Sequence, residues 1–217
     1  MARVLGIDEL NVAERYVPTN KPLPYRQYFG EMELDPEEEE ERIQMAEQLE
    51  TEFNRVFALI MLAAIIGALD SEQYYVDTLY ERYRDVVEEF GYSVENGYER
   101  LDDYIYASSG NIVQNTLNNL DNGYFFSSDR AMFCAEEEAN SVGECKEFVK
   151  AVMKGKRLKT WVSMRDKRVR GTHVAADGQT VPITDFFRVG QSMMLYPRDP
   201  SGSPEEVVNC RCHAEYR

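Results

Sequence analysis

The sequence predicts an α+β fold, in which a mainly helical N-terminal region is followed by a small α+β C-terminal domain with a short antiparallel sheet. Apolar residues recur at helical spacing up to about residue 155. After residue 156, short strand-like runs separated by Gly- and Pro-rich turns replace that pattern. With 217 residues, of which 43% are hydrophobic and 29% charged, the chain is expected to form a folded core.

Three regions are predicted along the chain. Residues 1–34 interleave prolines with aromatic residues, a pattern that favours an extended N-terminal arm. Residues 35–125 form the helical region, and residues 126–217 form the C-terminal domain.

Capping signals define the expected helices. Asp35 followed by Pro36 and five glutamates is a strong helix start, because the side chain caps the first turn and the carboxylates complement the helix dipole. The predicted helices span residues 35–69, 71–91, two segments of 93–122 divided at Ser108-Ser109-Gly110, 128–140 and 144–154.

The C-terminal domain is expected to be rich in strands. Its predicted elements are strands at Leu158–Met164, Val169–Val174 and Val207–Tyr216, a hairpin-type turn at Asp177-Gly178 and a long loop at Pro197–Pro204. Trp161 is expected to anchor the small core, because a single tryptophan buries a large apolar area. For Asp166 we expect an ion pair, whereas phosphate contact stays open for Arg168 and Arg170.

An unbroken apolar run covers Val56–Leu69. Its 14 residues fall short of the roughly 20 needed to cross a bilayer. The run therefore predicts a buried core helix and no membrane association, with insertion into a membrane or a partner's groove as the alternative.

Charge is distributed unevenly. The formal net charge is −15, yet the segment Lys146–Arg170 carries ten basic residues against two acidic ones. A basic patch that balances the chain's own acidic helices is the simpler interpretation. The alternative is contact with DNA or an acidic partner, for which the candidate residues are Lys154, Lys156, Arg157 and Lys159.

The cysteines are expected to be reduced, since the N-terminus has no secretory signal. On a strand, Cys210 and Cys212 would share one face and could bind zinc together with His173. The candidates for a fourth ligand are His213, Cys134 and Cys145. Small buried thiols without metal are the favoured interpretation, and a catalytic Cys-His pair is not expected, because no oxyanion element stands at a recognisable spacing.

An ordered series of motifs covers roughly residues 130–217. Its most specific residues are Trp161, Asp166, Arg170, His173, Gly178, Pro197, Asn209, Cys210 and Cys212. This series resembles the Mu F-like minor head protein family, also known as the phage head morphogenesis family.

The resemblance implies a structural, non-enzymatic minor capsid protein of a tailed bacteriophage. Such a protein would be made in the bacterial cytoplasm and located in the virion, near the portal vertex. It would act in head morphogenesis, and in genome packaging or ejection. Expected partners are the portal protein, the major capsid protein and packaged double-stranded DNA, with no cofactor. The alternatives are a DNA-associated ejected protein, or a zinc-dependent or Cys/His enzyme or effector.

Overall fold

In the computed structural model of the protein, residues 34–93, 95 and 97–217 are described. The predicted arm at residues 1–34 therefore lies outside the described residues, except for its last position. The first part of the fold consists of four long helices, namely α1 (Pro36–Ile65), α2 (Glu72–Glu89), α3 (Glu99–Leu117) and α4 (Ser128–Met153). A 3-10 turn at Gly123–Phe126 connects α3 to α4.

Helix α1 begins where the capping signal places it. The Asp35 side chain accepts a hydrogen bond from the backbone N–H of Glu37 at 3.0 Å, and Pro36 occupies the first turn. The helix ends at Ile65, short of the predicted Leu69. It stops there because Gly67 adopts a φ of +68°, a left-handed conformation that ends a helix.

Helix α2 confirms its predicted limits. Ser71 caps it by accepting from the N–H of Tyr74 at 3.3 Å, and Gly91 follows its end with a φ of +85°. Phe53 of α1 and Tyr83 of α2 meet edge to face at 5.7 Å. These residues lie at similar distances from the connecting loop, so the two helices are antiparallel.

Two predicted helix breaks are wrong. Helix α3 continues through Ser108-Ser109-Gly110, because burial of the flanking Ile105, Ile112 and Val113 in the core outweighs the weak helix propensity of these three residues. Helix α4 continues through Gly143. A Cβ atom at Gly143 would lie 2.3 Å from Nε of Arg42, so this glycine permits close packing and does not end the helix.

The C-terminal part contains two small antiparallel sheets, which confirms the predicted α+β class. In the first, β1 (Leu158–Val162) lies between β2 (Thr180–Pro182) and β5 (His213–Tyr216). The second is a hairpin of β3 (Phe187–Val189) and β4 (Ser192–Met194). The short helices α5 (Gly171–Ala176) and α6 (Pro204–Val207) complete this part.

Two predicted strands are wrong in whole or in part. The strand predicted at Val169–Val174 is replaced by α5, which buries His173 and Ala176 at helical spacing. The strand predicted from Val207 begins only at His213, where pairing with Val162 of β1 starts. Before it, α6 and the left-handed Asn209, with a φ of +56°, prevent an extended conformation.

Two hydrophobic clusters form the interior. The larger one combines α1 to α4 with Leu195 and Tyr196, so it extends across residue 125, where the helical region was predicted to end. The smaller one surrounds Trp161, as predicted, and includes Phe187 and the thiols of Cys210 and Cys212.

The apolar run at 56–69 is a core helix over its first half. Val56, Phe57 and Ile60 are buried. Its end is exposed, and we call the four exposed side chains there, Leu62, Ile65, Ile66 and Leu69, the apolar tip. Among the described residues, no helix combines the length and apolar character required to span a bilayer.

Helix α4 is the most enclosed element. Every residue from 129 to 146 is buried except the half-buried Met132, although many of them are ionisable. Most of the charged side chains have partners. Glu144 binds Arg42 at 3.1 Å, and Glu138 accepts a hydrogen bond from the Tyr83 hydroxyl at 2.9 Å.

Glu136 is the exception on α4. It is fully buried, and neither of its carboxylate oxygens has a hydrogen-bond partner within the described part of the chain. Burial, with a smaller contribution from Glu137, raises the pKa of Glu136 to about 9. The side chain is therefore protonated at neutral pH in the folded protein.

Glu136→Gln should stabilise the protein increasingly as the pH rises. The folded-state pKa of Glu136 lies above its unfolded value, so the wild type loses stability between about pH 4.5 and 9. The slope from this group is at most about 1.4 kcal/mol per pH unit. Urea unfolding at pH 5 and pH 8 should show a much larger gap between variant and wild type at the higher pH. The solvated Glu81→Gln is the control, and an equal gap at both pH values would contradict the prediction.

Candidate functional site

The candidate site lies where α5 meets the segment that precedes β5. His173 of α5, Cys210 and Cys212 are all buried. The Nδ1 atom of His173 is 3.3 Å from Sγ of Cys212 and 3.7 Å from Sγ of Cys210. The structure thus brings together the three residues that the sequence indicated as metal candidates, although the cysteines precede the strand instead of lying on it.

Glu206 completes the site from α6. Its Oε2 atom lies 3.0 Å from Nε2 of His173 and accepts a hydrogen bond from the Thr172 hydroxyl at 2.7 Å. The imidazole is therefore held between two thiols on one side and a carboxylate on the other. Sequence analysis did not assign a role to Glu206, although its position shortly before the two cysteines, within the same motif block, was an available signal.

Two aromatic side chains pack next to the site. Trp161 is fully buried and meets the His173 ring edge to face at 5.5 Å. Phe187 also packs edge to face against Trp161, at 5.4 Å. Trp161 therefore fixes the orientation of the imidazole as well as anchoring the smaller core.

The two thiols differ in acidity. Burial opposes ionisation of Cys210, but hydrogen bonds from Cys212 and His173 outweigh it and hold the pKa of Cys210 well below the usual thiol value. The hydrogen bond to Cys210, followed by burial, raises the pKa of Cys212. Two sulfur atoms and an imidazole nitrogen close together form a donor set that suits a soft or borderline cation such as zinc.

A cavity of about 10 Å³ adjoins this cluster. Its lining comprises His173, Cys210 and Cys212 together with Met164, Arg168, Val169, Arg170, Asn209 and Arg211. A space of this size holds about one water molecule.

The predicted ion pair of Asp166 is confirmed. Arg211 donates two hydrogen bonds to its carboxylate, at 2.7 and 2.8 Å. This bidentate hydrogen bond is the main cause that holds the pKa of Asp166 well below its usual range. Arg170 instead donates to the backbone carbonyl of Val208. Both contacts fix residues 208–212, which we call the cysteine segment, against the loop before α5.

Other residues of the predicted motif shape the backbone. Gly178 has a φ of +80° at the turn after α5, where its N–H donates to the Trp161 carbonyl at 2.8 Å. Pro197 is buried in the loop after β4. The next residue, Arg198, donates to the carbonyl of Cys210 at 2.6 Å and to the carboxylate of Glu137 at 2.5 Å. Arg198 was not predicted as a site residue, yet it links the cysteine segment to α4.

The four basic residues predicted to contact DNA or a partner differ in exposure. Lys154, Lys156 and Arg157 are exposed just after α4. Placing Lys159 on the same contact surface was wrong, because its ammonium is fully buried, donates to the Leu195 carbonyl at 2.6 Å and lies 5.1 Å from the centre of the Phe187 ring. Burial lowers the pKa of Lys159 to about 8. Lys159 lies on the same face of β1 as the buried Trp161, a signal in the sequence that would have predicted its burial.

The proposed fourth metal ligands lie elsewhere. Among the described residues, the group whose ligand atoms all lie within 4.8 Å of one another comprises His173, Cys210 and Cys212. Cys134 and Cys145 belong to α4 in the larger core, and His213 is in β5. The expectation that one of them joins the cluster is therefore wrong.

Comparison with known proteins gives one family. The model of the family described as Phage Mu protein F like protein matches residues 105–215. The match begins within α3, upstream of the residue 130 at which the motif series was taken to start. No curated protein and no solved structure matches the chain significantly.

Proposed function

Because the chain belongs to the Phage Mu protein F like family of phage head morphogenesis proteins, we propose that it is a structural, non-enzymatic minor head protein located near the portal vertex of a tailed phage. The family match over residues 105–215 carries this proposal. The portal protein or the major capsid protein is its direct partner.

The apolar tip supports a protein partner. Leu62, Ile65 and Ile66 are 57%, 74% and 66% exposed, and they lie next to one another at the end of α1. Clustered large apolar side chains on a soluble surface mark sites of protein association, because water contact with them is unfavourable. The tip is therefore the surface that we assign to the portal or capsid subunit.

The buried cluster supports a non-enzymatic role. The contacts of His173 are those of a catalytic triad, in which Cys212 would be the nucleophile, His173 the base and Glu206 the orienting carboxylate. A nucleophile must also reach a substrate atom, and the adjoining cavity of about 10 Å³ admits only a water-sized molecule. Enclosure of the thiols favours a structural use.

A density map of intact heads that includes the portal vertex tests the location. We expect density for α1 to α4 beside the portal, with the apolar tip against a portal or capsid subunit. Mass spectrometry of purified heads should detect the chain. Its absence from heads, or a distribution over the whole capsid, would overturn the portal location.

Ile65→Ser with Ile66→Ser should reduce incorporation of the protein into heads at least about tenfold, because partner binding would lose the burial of two large apolar side chains. The measurement is the amount of the chain per head after complementation. Met193→Ser is the control, since Met193 is 50% exposed on β4, away from the tip. Equal incorporation of the tip variant and the wild type would exclude the tip as the contact.

Contact with packaged DNA is the second candidate function. The exposed Lys154, Lys156 and Arg157 favour it, because no acidic partner for them is seen among the described residues. Replacing all three with glutamine should weaken DNA binding. It should also reduce the steepness of the plot of log K against log salt concentration by about 2–3. The matched control replaces Arg82, Arg84 and Arg100, which carry the same total charge on α2 and α3. Identical slopes in both triple variants would remove this candidate.

A further inference from the structure

The geometry points to a zinc site formed by Nδ1 of His173 and the Sγ atoms of Cys210 and Cys212, with a water molecule from the adjoining cavity as the fourth ligand. Metal binding is a property separate from the proposed location in the phage head. The ligands come from α5 and the cysteine segment, and α6 supplies the carboxylate that contacts His173.

The distances fit a tetrahedral ion. Zinc binds sulfur at about 2.3 Å and nitrogen at about 2.0–2.1 Å, so tetrahedral angles place a nitrogen and a sulfur ligand roughly 3.6 Å apart. The observed distances from Nδ1 to the two sulfur atoms are 3.3 and 3.7 Å. Convergence of both sulfurs on one nitrogen is the arrangement that a shared ion requires, whereas core packing alone requires no such convergence.

The orientation of the imidazole fits as well. In the metal-binding tautomer of His173, Nε2 donates to Glu206, which lies 3.0 Å away, and the Nδ1 lone pair is directed at the two sulfur atoms. A histidine ligand commonly donates its other ring N–H to a carboxylate in this way, which fixes its tautomer and increases its basicity. The Thr172 hydroxyl holds the same carboxylate oxygen at 2.7 Å. The outer contacts of a metal site are therefore in place.

The fourth position is also provided. The three ligand residues line the cavity of about 10 Å³, whose size suits one water molecule. Three protein ligands and one water are a known form of zinc coordination. Metal binding would displace the thiol protons and connect α5 to the cysteine segment.

The test uses the full chain without a histidine tag, purified under reducing conditions. Elemental analysis should find about one zinc per chain in the wild type and a loss of most of it in Cys210→Ser and Cys212→Ser. Cys145→Ser is the matched control, since it removes a buried thiol outside the cluster and should retain the metal. Equal zinc in the wild type and both cluster variants would overturn the proposal.

A second measurement avoids dependence on variants that fail to fold. Cobalt added to chelator-treated wild type should give the intense visible bands of a tetrahedral ion and a thiolate charge-transfer band. It should also change the fluorescence of Trp161, the single tryptophan. Zinc should compete for the same site and raise the Tm by on the order of 10 °C when present far above its Kd.

Glu206→Gln tests the outer contact. We expect it to weaken zinc affinity about 10- to 100-fold without changing the cobalt band positions, because the three ligands stay the same. A reduced chain that contains no metal as purified and shows no cobalt bands would refute the zinc site.

Discussion

Arg198→Met should lower the free energy of unfolding by about 3–5 kcal/mol. The Arg198 side chain has no solvent exposure, and it donates to the carboxylate of Glu137 at 2.5 Å and to the carbonyls of Glu137 and Cys210 at 2.9 and 2.6 Å. Its removal leaves the buried Glu137 carboxylate without this counterion and takes one donor from each of the two carbonyls. The loss is large because a buried charge without a counterion is unfavourable.

Urea unfolding followed by circular dichroism measures this effect. Arg188→Met is the control, because Arg188 is exposed on β3 and should change stability by about 0.5 kcal/mol or less. The double variant Arg198→Met with Glu137→Gln should recover part of the loss, since it removes the unpaired charge. A loss below about 1 kcal/mol in the single variant would show that water or a rearranged side chain replaces the guanidinium.

Trp161→Ala should cost about 3–5 kcal/mol of unfolding free energy. Trp161 is fully buried and packs against His173 and Phe187 in the smaller core, so alanine leaves a cavity that these few residues cannot fill. Thermal unfolding monitored by far-UV circular dichroism is the measurement. Phe186→Ala is the matched control, because Phe186 is 42% exposed and should lose far less. Similar losses for the two variants would mean that Trp161 does not anchor this core.

Local signals in the sequence predicted the helix starts well. Asp35 and Ser71 cap helices because the required hydrogen bond lies within the next three residues, and no distant contact is needed. Such local signals could not predict that α3 and α4 each continue without a break. At Gly143 the decisive contact is with Arg42, about a hundred residues earlier, and periodicity carries no information about such a contact.

The candidate site was predicted in part. His173, Cys210 and Cys212 stand out because their side chains bind metals, and the structure brings them together. The partners of Glu206 and Arg198 depend on how α5, α6 and α4 pack, so their roles could not be deduced from spacing. Lys159 shows the opposite error, since a lysine within a basic run was taken as exposed although its place on β1 buries it.

Because α4 is buried among distant parts of the chain, its folding depends on them. Arg42 binds Asn140 across 98 residues of sequence, and Arg198 binds Glu137 across 61. A helix so rich in carboxylates gains its stability only when the chain before and after it is already in place. Residues 34–217 should therefore unfold in one cooperative transition and refold slowly, because the contacts that hold α4 close long loops.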